Sequence, residues 1–511
     1  MTDVARNGNL FALIQSRFPA DMSHPFLQTI NESVLTYQEL DDGSAMMAGA
    51  LCDLGANPGD RVVVQVEKSF EAVVLYLACL RAGLVYVPMN TAYTAAELQY
   101  FIDDAEPHVL VCRPESSHEL AGIAGALNVT HTLTLGTDGT GSLLDKTAHC
   151  NPMTGVEVRT DEDIAAILYT SGTTGRSKGA MLSHGNLSSN ALVLHELWGF
   201  VPGDVLLHAL PIYHVHGLFV ALHCALLNAS SVWFLPKFEA DQVVRLIPRS
   251  TVMMGVPTFY VRLLTHTAFD ADLCRNIRLF VAGSAPLLSE TFQAFADRTG
   301  HRILERYGMT EAGMITSNPY DNAGRLAGSV GYALPGTRAR VCNDDGVEVA
   351  AGNVGTLEIT GPNVFKGYWR NPEKTATEFR TDGYFITGDV AIMSHDRRVS
   401  IVGRAKDLII SGGFNVYPKE IELEIDTMEG VVESAVIGLP HRDFGEAVAA
   451  VVVLETSDSL QESDVIEALG SKLAKFKQPK RVFFVQGLPR NAMGKVQKNT
   501  LRDEYTYTFQ T

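Results

Sequence analysis

Cysteine is sparse and unpaired in this sequence: Cys52, Cys79, Cys112, Cys150, Cys224, Cys274 and Cys342 are scattered, odd in number and never spaced as C-x-x-C. That pattern excludes a disulfide framework and a cysteine-bound zinc site. Positive charge is scarce too, with a net charge of −17, so no basic stripe is available to follow a nucleic-acid backbone. No apolar run is long enough for a membrane span, because the longest candidate, Ala72 to Leu80, is stopped by Arg81. Asp3 and the lack of an apolar stretch beside it argue against a secretory signal, so a cytoplasmic protein is expected. Repeats and low-complexity tracts are absent, which sets solenoid folds aside.

What is present is the composition of a globular chain, 46% hydrophobic and 19% charged, over 511 residues that need more than one domain. Tyr37 to Leu54 and Ser69 to Ala82 carry apolar residues at helical spacing around the β-branched run Arg61 to Gln65. Strand patterns follow at Ile164 to Tyr169, Val205 to Leu207, Val232 to Leu235, Val252 to Val256 and Leu279 to Val281. Such alternation predicts parallel sheets covered by helices. From about Gly331 the texture turns to short β segments such as Val354 to Ile359. The end reads as a small α+β domain, with helices at Lys419 to Thr427 and Glu462 to Phe476 and strands at Val432 to Leu439 and Ala447 to Leu454.

The stretch Tyr169-Thr170-Ser171-Gly172-Thr173-Thr174-Gly175-Arg176-Ser177-Lys178-Gly179 directly follows a buried-strand pattern. Its glycines let backbone N–H groups approach an anion, its hydroxyls add donors and Lys178 adds charge, so a polyphosphate is the natural guest. A plain flexible surface loop is the competing reading. The order of residues does not fit G-x-x-x-x-G-K-[ST], because Lys178 follows Ser177 and precedes Gly179, which disfavours a P-loop NTPase.

The loop resembles the signature of the adenylate-forming superfamily. Other motifs of that family follow in order: Tyr213 to Gly217, Gly283 to Pro286, Tyr307 to Glu311, Thr387 to Asp389, Gly403 to Asp407 and Pro489 to Lys495. The resemblance implies an α/β fold: a large N-terminal domain (1–403) of stacked α/β/α subdomains plus a β-rich subdomain, a hinge (404–406) and a small mobile α+β C-terminal domain (407–511). It implies an acid-CoA ligase using ATP, Mg²⁺ and coenzyme A, whose partners are small molecules rather than nucleic acid or membrane.

By the same resemblance, Lys495 is the catalytic lysine, an ammonium that stabilises charge building on the carboxylate and α-phosphate during attack. Glu311 and Thr170 hold Mg²⁺, an oxygen-seeking cation. The nucleotide is expected against Thr170, Ser171, Gly172, Thr173, Thr174, Gly175 and Lys178, against Ser284, Ala285 and Pro286, and along Glu305, Arg306, Tyr307, Gly308, Met309 and Thr310. Tyr307 is the adenine-stacking ring, and Asp389 and Arg404 meet the ribose. His214 gates the passage between acyl and CoA sites, Lys406 is the hinge, and Gly412 and Gly413 line the pantetheine arm. The cations Lys472, Lys475, Lys477, Lys480 and Arg481 suit either CoA phosphates or a solvated helix face. Acetylation by a lysine acetyltransferase acting on Lys495 would remove the charge that adenylation needs.

Arg262 is the one charge in the apolar stretch Thr251 to Leu264. A buried guanidinium is costly unless paired, so an acid with a second carboxylate would give it a bidentate partner; an Arg reaching out to solvent from an amphipathic helix is the other reading. His216 and Ser284 are further candidates for the acid pocket. This region and its neighbours resemble the malonyl-CoA synthetase branch of the superfamily, which implies malonate, and methylmalonate beside it, as the acid. Another short acid, or a carrier protein in place of free CoA, are the alternatives.

Overall fold

The computed structural model describes residues 7–170, 177–411, 414–442, 444–456, 460–470, 472–473, 475–491 and 494–509. Ser171, Gly172, Thr173, Thr174 and Gly175 of the expected phosphate loop, the expected CoA glycines Gly412 and Gly413, and the side chain of Lys406 lie outside the described residues. The chain groups into two compact units. The first takes in Met1–Ala327, Gly331–Arg338 and Ile359–Phe385, and the second Gly328–Val330, Ala339–Glu358 and Ile386–Thr511. The expected division after residue 403 concerns a different property, a hinge.

Two sheets build the first unit. One has nine strands in the order Tyr332–Ala333, Gly313–Ser317, Leu304–Met309, Leu279–Ala282, Val252–Gly255, Val205–His208, Ser231–Phe234, Pro25–Gln28 and Val34–Thr36. It is parallel from Pro25–Gln28 to Leu304–Met309, with antiparallel edges. The other runs His131–Thr134, Val109–Cys112, Arg61–Gln65, Val85–Pro88, Ile164–Thr170 and Lys178–Ser183, antiparallel only in its last pair. Runs such as Val62 to Val64 are buried throughout, as strands covered on both faces must be.

Helix Tyr37–Asp53 starts at a capping box of Thr36 and Glu39, and helix Phe70–Arg81 at Ser69, whose side chain accepts from the Ala72 N–H. The second helix is buried from Ala72 to Arg81, which explains its apolar residues all round. Its Tyr76 ring packs on Tyr86 of the six-stranded sheet and on Phe219 and His223 behind the nine-stranded one. No helix among the described residues is long and apolar enough to cross a membrane.

Within the second unit, Phe414–Val416, Ile409–Ser411, Gly445–Leu454 and Val431–His441 form an antiparallel sheet, and Arg481–Val485 pairs parallel to Gly445–Leu454. Helices Pro418–Ile425 and Glu462–Gly470 cover its core of Val436, Val448, Val465 and Leu469. The helix expected to reach Phe476 therefore stops at Gly470. Glycine costs a helix about 1 kcal/mol relative to alanine, and the Leu469 carbonyl closes the turn by accepting from the Lys472 and Leu473 N–H groups. Three of the cations after it are paired with acids: Lys472 with Glu424 (2.9 Å), Lys477 with Glu420 (2.6 Å) and Arg481 with Glu462 (3.0 Å).

His184 opens helix His184–Leu197 from a fully buried position, its Nδ1 accepting from the Leu10 N–H at 3.1 Å. Burial, helped by the charge of Arg159, lowers its pKa to about 4. The unfolded imidazole takes a proton once pH falls below 6.5 and the folded one does not until about 4, so stability is lost as pH falls through that window. His184→Asn, which keeps an acceptor and loses the titration, should show a shallower fall of Tm between those pH values than the parent. Equal slopes would contradict the assignment.

Candidate active site

The hairpin of Ile164–Thr170 and Lys178–Ser183 aligns Thr170 with Lys178, so the two residues that bracket the expected phosphate loop stand side by side. A third segment adds to this hairpin: the Met181 N–H donates to the Gly367 carbonyl at 3.0 Å, and those of Lys366 and Trp369 donate to the Met181 and Gly179 carbonyls at 2.9 and 2.7 Å. Tyr368 thereby faces Ala180 and delivers its phenol to the site. That phenol lies 3.2 Å from Glu311 Oε1 and 2.7 Å from Glu378 Oε2. It has one proton to give, which goes to Glu378 on the shorter side. Burial and the two carboxylates push the Tyr368 pKa up, so the phenol stays protonated.

Glu311 is buried, with Oε1 accepting from Thr170 Oγ1 at 3.3 Å. Three buried asparagines hold the backbone after it and the segment around Asn363. Asn186 Nδ2 donates to the Pro362 and Val364 carbonyls at 2.7 and 2.8 Å. Asn190 pairs with Met314 like a strand neighbour, through Nδ2 (2.8 Å) and Oδ1 (3.0 Å). Asn363 Nδ2 donates to the Ala312 and Met314 carbonyls at 2.9 and 3.1 Å. Asn186 and Asn190 are four apart on one helix and so share a face. Gly308 completes the turn, since a Cβ there would lie 2.2 Å from the Gly313 carbonyl oxygen.

Lys178 Nζ is 3.5 Å from Glu378 Oε1, and Lys374 Nζ is 2.7 Å from the same oxygen. Burial raises the Glu378 pKa, but the hydrogen bonds of Lys374 and Tyr368 and the charge of Lys178 outweigh it and hold the carboxyl below its usual range. Tyr368, Lys374 and Glu378 were not foreseen from the sequence.

A second cluster lies where strands Val252–Gly255, Leu279–Ala282 and Leu304–Met309 end. Ser284 has φ +73, a left-handed conformation that costs a non-glycine residue about 1–3 kcal/mol and concentrates at functional positions. Its Oγ is 3.3 Å from His216 Nδ1. Arg306 reaches the same place: it is buried, and a Cβ on Gly283 would lie 2.4 Å from its Cζ. Burial, then the nearby Arg306 charge, keeps His216 neutral, and burial lowers Arg306 itself to about 9. Among the described residues His216 Nε2 and Arg306 Nε and Nη2 meet no hydrogen-bond partner. A buried guanidinium with open donors beside a neutral imidazole, in a dry setting, is the chemistry of an anion site.

Arg306 was expected along the nucleotide together with Tyr307, and strand geometry separates them. Successive side chains on a strand point to opposite faces, so residue 306 projects away from 305 and 307. That period was the signal available. Ala285 and Pro286 follow Ser284, and Glu305 lies beside them, its Oε1 accepting from the Leu287 N–H at 3.2 Å. Tyr307, Met309 and Thr310 are half-buried at the end of strand Leu304–Met309 and on the turn after it. His214 Nδ1 accepts from the His216 N–H at 3.3 Å. Arg262 is exposed on helix Pro257–Leu264, with its guanidinium 4.9 Å from the centre of the Phe238 ring.

In the second unit, Asp389 and Arg404 stand opposite each other on paired strands, joined by a 2.8 Å ion pair. Lys495 closes a tight turn: its N–H donates to Asn491 Oδ1 and its carbonyl accepts from the Asn491 N–H, both at 2.9 Å. Arg490 anchors the turn, donating to the Gly494 carbonyl at 2.5 Å and pairing with Glu433 of strand Val431–His441.

Glu378→Gln removes the anion that gathers Lys178, Lys374 and Tyr368. Because the folded pKa is held below 4.5, the stability it provides is present above that value and is lost as pH falls through the folded pKa. The variant's Tm should therefore lie below the parent's at neutral pH and converge with it in acid; a constant gap would contradict this.

The AMP-binding enzyme family matches residues 16–369, and its C-terminal domain family matches residues 420–495. A mitochondrial malonate–CoA ligase of Mus musculus, ACSF3, is 36% identical over 91% of this chain and 86% of its own length. A malonate–CoA ligase of Arabidopsis thaliana is 35% identical over 88% of this chain and 78% of its own. The crystal structure of ATP-bound MatB from Rhodopseudomonas palustris is 54% identical and superposes with a TM-score of 0.96, covering 98% of this chain and all of that one. On these matches the chain belongs to the AMP-binding enzyme family, whose members are adenylate-forming.

Proposed function

We propose that this ATP-dependent acid-CoA ligase acts on malonate, with methylmalonate as a second substrate. In the first half-reaction an acid carboxylate oxygen attacks the α-phosphorus of ATP, a P–O bond forms, and pyrophosphate leaves. In the second, the sulfur of CoA attacks the acyl carbon and AMP leaves with the bridging oxygen. The observation that carries the choice of acid is Arg306, a buried guanidinium with open donors beside His216 and Ser284. A second carboxylate supplies the charge and the two acceptors it lacks, whereas a hydrocarbon chain supplies neither. The names of the relatives support the same acid. Arg262, exposed at the outer side, contributes by drawing the dianion in.

The remaining roles follow the family resemblance. Thr170 to Gly175 and Lys178 hold the triphosphate, Lys178 exchanging Glu378 for phosphate. Thr170 and Glu311 present two hard oxygens 3.3 Å apart, which suits Mg²⁺ that completes its shell with phosphate and water; when bound, the ion neutralises phosphate charge. Ser284 to Pro286, Glu305 and Tyr307 to Thr310 flank the nucleotide, with Tyr307 as the adenine face. Asp389 and Arg404 take the ribose, Lys495 stabilises the charge of adenylation, His214 gates the acyl passage, Lys406 is the hinge, and Gly412 and Gly413 line the CoA arm. Lys495 is also the residue on which an acetyltransferase would act, and a cytoplasmic setting fits seven free cysteines.

With free CoA, malonate should be turned over in preference to butyrate, octanoate and benzoate. Arg306→Gln should lower kcat/KM for malonate by about 30-fold or more, the loss of a buried charge-assisted contact, and leave butyrate turnover unchanged or improved; Arg262→Ala should have a smaller, salt-dependent effect. Faster turnover of octanoate, or intact malonate activity in Arg306→Gln, would overturn the choice of acid.

A further inference from the structure

Lys68 follows strand Arg61–Gln65 and has no carboxylate partner among the described residues, although its ammonium is turned inward. Three acceptors surround it: His208 Nδ1 at 2.8 Å, the His208 carbonyl at 3.1 Å and the Leu235 carbonyl at 2.6 Å. The Phe234 ring lies 4.2 Å away. Three N–H groups meet three acceptors, so the ammonium is satisfied without an anion. His208 is fully buried at the end of strand Val205–His208, and its Nε2 is 2.9 Å from the Gly217 carbonyl. A carbonyl only accepts, so Nε2 carries the proton and Nδ1 is left as the lone pair that Lys68 needs. Burial, with the Lys68 charge next, keeps the ring neutral, in agreement with that tautomer.

Gly217 is the second residue of a π-helix, His216–Leu222. π-Turns are rare and recur at functional sites, where they re-aim side chains. This one is tightly seated, since a Cβ on Gly217 would lie 2.1 Å from the Pro211 carbonyl oxygen. The residue just before Gly217 is His216, the imidazole against Ser284.

We propose that Lys68 and His208 are positioning residues, a relay that runs from the ammonium through the neutral imidazole to the Gly217 carbonyl and fixes His216 at the acid pocket. The inference rests on the reading of His216 and Arg306 as the acid site. It makes the two sheets' junction, which Lys68 bridges from strand Arg61–Gln65 to Val205–His208 and Ser231–Phe234, part of substrate selection.

A clamp that served stability alone would lower Tm and leave the remaining active enzyme with its ordinary KM. The relay predicts instead that Lys68→Met and His208→Asn raise the KM for malonate by about tenfold while the KM for ATP stays within about twofold. His208→Gln keeps an N–H where Nε2 was and should restore most of the malonate KM; His208→Asn keeps only an acceptor towards Lys68 and should not. If Lys68→Met fails to fold, the Asn and Gln variants decide, and equal malonate KM values for the two would overturn the relay. His216→Ala separates the levels. Should it raise the malonate KM while Lys68→Met and His208→Asn leave it unchanged, the relay fails alone; should His216→Ala itself leave it unchanged, the acid-site reading fails and the relay with it.

Discussion

A guanidinium held away from water keeps its charge only at a cost of several kcal/mol unless its donors are matched, and Arg306 is held that way. The first unit is organised around this constraint. Gly283 gives up a side chain so that Arg306 can lie against its backbone, and Ser284 takes a left-handed conformation beside it. His216 is kept neutral by the same burial and the same charge, so it presents hydrogen-bonding groups without adding repulsion. A pocket built on these terms favours an anion over an alkyl chain from the start, because only the anion relieves the desolvation that folding has imposed.

The carboxylate on the other side is handled differently. Glu311 is buried too, but it sits on a turn whose following backbone groups, at Ala312 and Met314, are met by Asn190 and Asn363, while Asn186 meets the carbonyls on either side of Asn363. Each asparagine supplies donors where a regular strand neighbour would stand. Leaving any of those carbonyls unmet costs about 1–3 kcal/mol, which is enough to shift a turn by a fraction of an ångström. Tyr368 then stands between Glu311 and Glu378, its hydroxyl the donor within reach of both carboxylates and its one proton on the shorter, Glu378 side. Two carboxylates are thus kept close without sharing a proton, and Lys178 stays beside Glu378.

Much of this was legible before the fold. The strands Arg61–Gln65, Ile164–Thr170 and Val354–Thr360 and the helix Tyr37–Asp53 lie where residue patterning puts them, because buried β-branched runs and capping residues are local signals. The helix from Glu462 ends at Gly470 although apolar spacing continues to Phe476, because a single glycine outweighs periodicity at a helix end. Tyr368 and Glu378 stayed hidden because they arrive through a strand pairing between residues about two hundred apart in sequence. Arg306 leaves its strand on the face opposite Glu305 and Tyr307, a distinction that motif spacing does not carry, and Lys68 offers no pattern, since its three acceptors are backbone and imidazole atoms from other elements.

The central claim is that the acid's own carboxylate oxygen bonds to the α-phosphorus. Malonate labelled with ¹⁸O in its carboxylates, turned over with ATP and CoA in unlabelled water, tests it directly. Mass spectrometry of the products should find one ¹⁸O in AMP and none in pyrophosphate. Label in orthophosphate, or AMP without label, would contradict the account.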